Sequence, residues 1–443
     1  MADFSEKMRD HTVRVNGGSG VVIQPSNDRY TYILTAKHVI ETAEDSGEHF
    51  DVGQITVTTY NELEIELSNR IVDPDNDIAI LKTREKIPSS LLRCIDEIDR
   101  DQIVHVCGYP ETREDQVGER QLNEFRGVTG KIRPDHFVVT LENKPGHDQI
   151  VGVSGGGVFR DLEIDIFLCG IESKVEGNST REFHGKIECI PLEAIDRLLE
   201  KNDDYEPILA PHLHSFSNII SRTFQFRGIS TPTGADFLKS ILHDFAAELD
   251  RQDLPTPKDI HERYKEQLLI RNSPSEHALE VMLWIGYLEL IIIAALIDEV
   301  KTVDFGYLEK NSSQRRFLFK ATKENWMWLL RDIYTSDLRG LQPGGIIIVS
   351  TADSEGMYTP PPEALDQVIA DIGKVYPTET RIDSPMINPV TEFKLYHWAG
   401  LHHECVTLNQ SFYVKGNQFS EEHNAACLLK ELKEHYSDFI RKQ

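Results

Sequence analysis

The glycine-rich segment at residues 152–157, Gly-Val-Ser-Gly-Gly-Gly, constrains this chain more than any other feature of its sequence. Glycine permits backbone conformations and close approaches that other side chains forbid. In this segment the glycines surround one hydroxyl, that of Ser154. A serine nucleophile needs such space for a substrate carbonyl, and it needs free N–H groups near the oxygen that becomes negative. The same residues are common in ordinary turns, so the segment needs support from elsewhere in the chain.

Two further segments carry the residues with which such a serine works. Residues 32–38, Tyr-Ile-Leu-Thr-Ala-Lys-His, are an apolar strand-like run that ends in His38. Residues 73–82, Asp-Pro-Asp-Asn-Asp-Ile-Ala-Ile-Leu-Lys, are an acidic turn that enters another apolar run. A histidine acts as a base when a carboxylate fixes its tautomer and stabilises the imidazolium. The chain therefore holds a histidine, an aspartate and a serine in that order, each at the edge of a predicted strand.

These segments resemble the motifs of trypsin-like serine proteases of the chymotrypsin fold. Thr-Ala-Lys-His is similar to the family's histidine motif, Asp-Asn-Asp-Ile-Ala-Ile-Leu-Lys to its aspartate motif, and Gly-Val-Ser-Gly-Gly-Gly to its serine motif. The stretch Gly-Ser-Gly-Val-Val-Ile at residues 18–23 looks closest to the minimal bacterial, Deg-like members. The resemblance covers about residues 10 to 200. It implies a multidomain chain that begins with an all-β double β-barrel.

The family's roles carry over to individual residues of this chain. The carboxylate could be Asp73, Asp75 or Asp77, and Asp77 is favoured because the family's aspartate directly precedes the Ile-Ala-Ile-Leu strand. The resemblance implies the following set: His38 as general base, Asp77 as orienting carboxylate, Ser154 as nucleophile, and the N–H groups of Gly152 and Ser154 as the oxyanion hole.

Val153 departs from the family pattern. Secreted relatives place an aspartate directly before the serine, where it meets a newly cut N-terminus during activation. Residues 1–16 also show no propeptide signature. We therefore expect that activation does not depend on N-terminal clipping, and that any control comes from elsewhere in the chain.

Substrate preference follows from two further matches. Asp148, six residues before Ser154, matches the position at the bottom of the trypsin S1 pocket, and residues 169–174 resemble the strand of one pocket wall. We therefore expect Asp148, Ser173 and Lys174 to bind substrate. A carboxylate at the pocket base would pair with Arg or Lys at P1. An ordinary surface aspartate in a polar loop is the alternative for Asp148.

Composition favours a cytoplasmic protein. The N-terminus lacks the apolar segment of a secretory signal, and the six cysteines have no paired spacing, which favours a reducing compartment. A net charge of −26 argues against nucleic acid as the main direct partner. We expect a protein or peptide substrate, no cofactor and no membrane association. A regulatory protein or ligand is expected at the C-terminal part of the chain.

The second half predicts a different, helix-rich domain. We expect a protease domain over residues 1–202, a linker or crossing segment over 203–233, and an α+β, possibly α/β, regulatory or partner-binding domain over 234–443. Periodicity predicts helices at 235–249, 257–269, 326–333, 362–375 and 421–441, and strands at 316–320 and 345–350.

An apolar run at residues 283–297 contains Glu289 and is shorter than the roughly 20 residues that span a bilayer. It predicts a buried helix, which would begin at a capping pattern of Ser273, Pro274 and Glu276. Residues 402–405, His-His-Glu-Cys, have metal-ligand side chains. Adjacent histidines seldom face one ion, so we expect no metal site.

The pairing of a small trypsin-like domain with a helical module is similar to proteolytic effectors of bacterial antiphage systems. We therefore expect a cytosolic serine endopeptidase that acts through an acyl-enzyme, prefers a basic P1 residue and is controlled by its C-terminal domain. Two alternatives stay open. One is a catalytically silent trypsin-like binding or scaffold module. The other is a protein whose main ligand-sensing activity lies in the C-terminal domain.

Overall fold

The chain divides into two compact units, Met1–Pro211 and His212–Gln443. The segment predicted to link two domains divides between them. Tyr205 stacks on Tyr32 of the first unit with ring centroids 5.7 Å apart, whereas the N–H of Phe224 donates to Glu289 of the second unit. The computed structural model describes residues 4–27, 29–43, 47–89, 91–94, 98–162, 165–175, 185–226, 232–252, 254–352, 393–409 and 421–441.

The first sheet of the first unit has six antiparallel strands in the order β4-β1-β2-β3-β6-β5. Alternate residues of its central strands enter two different cores, so both faces are apolar. Val21 and Leu34 belong to one core, and Val22 and Ile33 belong to the other. The strands are β1 Thr12–Val15, β2 Gly18–Ile23, β3 Tyr32–Thr35, β4 Val57–Thr58, β5 Leu67–Val72 and β6 Ala79–Thr83.

The second sheet has the order β11-β8-β9-β10-β13-β12-β7, and β11 also pairs with β12, which closes six of its strands into a barrel. Helix α1 (Phe4–His11) precedes the first sheet, and helix α2 (Leu192–Glu200) follows the second. The expected β-barrel architecture of the N-terminal part is confirmed. The strands are β7 Leu92–Arg93, β8 Ile103–Gly108, β9 Asn123–Ile132, β10 Phe137–Leu141, β11 Gly157–Leu162, β12 Asp165–Val175 and β13 Lys186–Pro191.

The second unit is rich in helices and contains a small parallel sheet in the order β14-β15-β16. Its strands are β14 Arg315–Lys320, β15 Ile346–Thr351 and β16 Lys394–His397. The helices from the boundary onward are α3 Pro211–His214, α4 Pro232–Arg251, α5 Pro257–Tyr264, α6 Val281–Asp298, α7 Phe305–Gln314, α8 Leu330–Tyr334, α9 Trp398–His402 and α10 Glu421–Ile440. The predicted helix at 362–375 lies outside the described residues.

Helix α6 is long and apolar enough to cross a membrane, but 78% of it is buried inside the protein, in agreement with a core helix. The predicted start at Ser273 is wrong. Residues Ser275–Leu279 form a 3₁₀ turn, and the extended backbone of Glu280 separates that turn from the helix, which begins at Val281. Glu289, the one charged residue inside the apolar run, accepts hydrogen bonds from Phe224 N–H and, at 2.7 Å, from the indole of Trp398.

Candidate active site

His38 and Asp77 meet at the ends of two paired strands. Strands β3 and β6 are antiparallel, so the residues after β3 lie beside the residues before β6. His38 Nδ1 is 2.9 Å from Asp77 Oδ2, and the backbone N–H of His38 donates to Asp77 Oδ1 at 3.0 Å. One carboxylate therefore fixes both the ring and the backbone of the histidine. With the proton on Nδ1, the Nε2 atom is left as the acceptor.

Ser173 provides a third contact to this pair, because its hydroxyl donates to Asp77 Oδ2 at 2.6 Å. Burial raises the pKa of the Asp77 carboxyl, but hydrogen bonds from His38 and Ser173 outweigh burial and hold the pKa below its usual value. Burial lowers the pKa of His38, and the bonded Asp77 carboxylate outweighs this effect and raises it. The site thus stabilises a negative aspartate beside a histidine that readily accepts a proton.

Asp73, one of the three candidate carboxylates, has a different task. It is 2% exposed and accepts hydrogen bonds from the N–H groups of Asp75 and Asn76 at 2.8 and 3.0 Å. These bonds shape the turn that leads to Asp77. Of the three aspartates, Asp77 is the one that the structure brings to His38.

The serine loop, residues 151–157, is held against the first sheet by Ser19 of β2. The N–H of Ser19 donates to the carbonyl of Ser154 at 2.8 Å, and its hydroxyl donates to the carbonyl of Gly152 at 2.8 Å. A Cβ atom at Gly155 would lie 2.3 Å from Thr35 Oγ1. The loop therefore passes directly beside the end of β3, where His38 lies. None of the hydrogen bonds in the described part of the chain joins Ser154 to His38.

The N–H groups of Gly152 and Ser154 face away from two anchored carbonyls. The carbonyl of the peptide that ends at Gly152 accepts from Glu111 N–H at 2.7 Å, and that of the peptide that ends at Ser154 accepts from Gly156 N–H at 2.7 Å. In a trans peptide the N–H points opposite to the carbonyl. No acceptor for either N–H is found among the described residues. Gly152 adopts φ +92°, a conformation that favours glycine.

The three residues predicted to bind substrate have different surroundings. The side chain of Asp148 is 95% exposed, and that of Lys174 is 67% exposed with its Nζ 3.6 Å from Glu188. The hydroxyl of Ser173 is bound to Asp77. The exposure of Asp148 gives no support to a closed pocket with this carboxylate at its base, and its role stays a prediction.

Sequence reasoning missed two residues of this site and the orienting contact of Ser173. Ser19 is fully buried, and its signal is a hydroxyl inside an apolar strand. Glu172 is also fully buried in β12, where its carboxyl lies near Ser154 and His38 and burial raises its pKa to about 8. A charged residue within the apolar run of β12 was the available signal.

His402, the first of the two adjacent histidines, contacts a buried acid and a tryptophan of the second unit. His402 Nε2 lies 3.1 Å from Glu289 Oε2, and its ring centroid is 4.6 Å from that of Trp398. The described residues contain no group of three or more His, Cys, Asp or Glu that could hold a metal ion.

Family models match both parts of the chain. A family model for the trypsin-like peptidase domain matches residues 18–163, and one for C-terminal domain 4 of the ABC-three component (ABC-3C) systems matches residues 189–407. No curated protein matches the chain. The inactive form of the Rv3671c protease is 17% identical over 45% of this chain and 93% of that one, with a TM-score of 0.32. The active form, from M. tuberculosis, is 16% identical over 46% and 86%, with a TM-score of 0.34.

Proposed function

We propose that this chain, which joins a trypsin-like peptidase domain to a C-terminal domain 4 of the ABC-three component systems, is a serine endopeptidase. His38 Nε2 takes the proton of the Ser154 hydroxyl while Ser154 Oγ attacks the substrate carbonyl. The N–H groups of Gly152 and Ser154 stabilise the resulting oxyanion. The imidazolium then gives its proton to the leaving amine, and water releases the acyl group by the same route in reverse.

The observation that carries this proposal is the pair of hydrogen bonds from His38 to Asp77, at 2.9 and 3.0 Å, beside a loop with two N–H groups that have no acceptor among the described residues. Each part has a separate chemical purpose. The carboxylate orients the base, the glycines admit the substrate, and the two N–H groups are available for charge that develops during the reaction. A protein that only binds a peptide would not need the combination of an oriented base, a glycine-rich loop and N–H groups placed for an oxyanion.

Control by the C-terminal domain is the second part of the proposal. Val153 precedes the nucleophile and is 1% exposed, packed in the core of the second barrel with Ile150 and Val158. An apolar side chain there offers no ion pair to a newly formed N-terminus. The domain after residue 211 is therefore the candidate for control, through a protein partner or ligand that shifts the population of active conformations.

We further propose a cytoplasmic effector of bacterial defence that cuts protein substrates. The six cysteines are thiols that form no disulfide bond, which fits a reducing compartment. The ABC-three component match supports a protease that works with partner components. A preference for Arg or Lys at P1 belongs to the same proposal and depends on Asp148.

A fluorophosphonate probe tests the catalytic proposal directly. We expect the full chain to be labelled at Ser154, Ser154→Ala to abolish labelling, and Ser68→Ala, at an exposed serine of β5, to leave it intact. Proteomic mapping of new N-termini, wild type against Ser154→Ala, then identifies the targets and the P1 residue. Labelling that survives in Ser154→Ala, or a wild type that is not labelled with partner components present, would reject the proposal.

A further inference from the structure

Glu172 lies directly behind the serine loop. Its backbone carbonyl accepts from Gly155 N–H at 2.8 Å, and its own N–H donates to the Gly156 carbonyl at 2.8 Å. These two bonds fix Glu172 of β12 beside the residues that follow Ser154. The side chain is fully buried, and neither carboxyl oxygen has a hydrogen-bond partner within the described chain. Burying an acid without hydrogen-bond partners costs folding free energy. A carboxyl in this position beside a nucleophile therefore indicates a functional role.

The groups around this carboxyl belong to the proposed catalytic set. The Ser154 side chain lowers the pKa of this carboxyl, although the two groups do not meet the geometry of an ordinary hydrogen bond. The charges of His38 and Asp77 act on it with opposite signs. Cys189 of the paired strand β13 also faces it, as a buried thiol whose pKa is raised by burial and by the Glu172 charge. Desolvation is the largest effect and favours the neutral acid.

We propose that Glu172 is a positioning residue that sets the direction of the Ser154 hydroxyl: ionised, it accepts that hydroxyl, and protonated, it leaves the hydroxyl to His38. This inference rests on the proposed function. A carboxylate is a stronger acceptor than a neutral imidazole, so an ionised Glu172 holds the proton that His38 must take. Its charge would also stabilise the His38 imidazolium and oppose the oxyanion. Because these two effects act on the rate in opposite directions, the proposal depends on the direction of the hydroxyl.

The consequence is a fall in activity on the alkaline side of neutrality. Burial places the pKa of Glu172 at about 8, so the carboxyl loses its proton above that pH. As pH increases, activity first rises because His38 loses its proton and becomes neutral. Asp77 raises the pKa of His38, so this step takes place above the ordinary value of 6.5. The rate of Ser154 labelling by a fluorophosphonate should therefore pass through a maximum. At about pH 9 the wild type should be roughly 10-fold slower than a variant that cannot ionise at this position.

The experiment measures the second-order labelling rate of the full chain between about pH 6 and pH 10 in four proteins. Glu172→Gln and Glu172→Leu, a neutral isostere and an apolar replacement, should both keep the acid limb and lose the alkaline limb. Glu142→Gln, which removes an exposed carboxylate 3.2 Å from Arg126, should behave as the wild type. If the alkaline limb persists in a Glu172 variant that folds, this inference is overturned, and the proposal that the chain is a serine endopeptidase still stands. A wild type without labelling at any pH overturns both proposals.

Discussion

Replacing Glu172 with glutamine should change how the stability of the first unit depends on pH. Burial raises the pKa of this carboxyl from 4.5 to about 8 in the folded protein. The folded state then holds a proton that the unfolded chain has released, so stability falls as pH rises through this window. The loss is about 1.4 kcal/mol per pH unit, or roughly 5 kcal/mol in total. Glu172→Gln lacks this titration and should become more stable than the wild type by that amount at about pH 9.

Chain composition provides a probe for each unit. The four tryptophans, at 284, 326, 328 and 398, all lie in the second unit and cannot report on the first. Cys107 is 1% exposed in the core of the first unit, and Cys405 is 1% exposed in the second. A short pulse of thiol labelling after equilibration in urea, read by peptide mass spectrometry, therefore follows each unit separately. Comparison at one pH cancels the intrinsic pH dependence of the thiols.

With a denaturant slope of about 2 kcal/mol per M, the Cys107 midpoint of Glu172→Gln should exceed that of the wild type by about 2.5 M urea at about pH 9. At about pH 4.5 the two midpoints should nearly coincide, because the wild-type carboxyl is then neutral in the folded state and only about half ionised in the unfolded chain. The Cys405 midpoint should not respond to the substitution. Equal differences in the Cys107 midpoint at both pH values would refute the argument that Glu172 is desolvated.

Three further predictions test the rest of the site. Asp77→Asn should lower kcat about 10⁴-fold in an assay with a protein substrate, because an amide bonded to His38 favours the wrong tautomer; a loss below about 10-fold contradicts this role. Gly155→Ala should abolish fluorophosphonate labelling and lower Tm, because φ is +88° and the new Cβ would lie 2.1 Å from Ser19 O. A variant with normal labelling would show that the loop has another conformation. Asp148→Ala should remove a preference for basic P1 residues in mapped cuts, and unchanged cuts would make Asp148 an ordinary surface residue.

The sequence predicted those parts of the site that lie on one chain segment. The apolar run that ends in His38 and the one that begins after Asp77 have side chains that enter two apolar cores alternately. Both faces of these strands are therefore apolar, and the charged residues lie in the turns. Position 155 requires glycine because its φ is +88°, a conformation that other residues rarely adopt. Such features need no knowledge of distant neighbours, and local pattern is sufficient to predict them.

The parts that could not be predicted depend on contacts between segments far apart in the chain. Ser19 is 133 residues from its acceptor Gly152, and Ser173 is 96 residues from Asp77. The register of β12 against β13 shifts between residues 172 and 174, which moves Ser173 out of the simple alternation expected of a strand. Tertiary context also outweighed a local signal at Ser273, where the capping pattern is followed by a 3₁₀ turn and not by the helix.

Helix α6 carries a consequence for how the second unit reaches one arrangement. A helix that is apolar on nearly every side can rotate about its axis with little change in the apolar surface area that it buries. Glu289 removes this freedom, since only one rotation brings its carboxylate to Phe224 N–H and to the Trp398 indole. Any other rotation would leave a buried carboxyl group without hydrogen-bond partners. Glu289 therefore fixes the rotation of helix α6 relative to the segments that come before and after it in the chain.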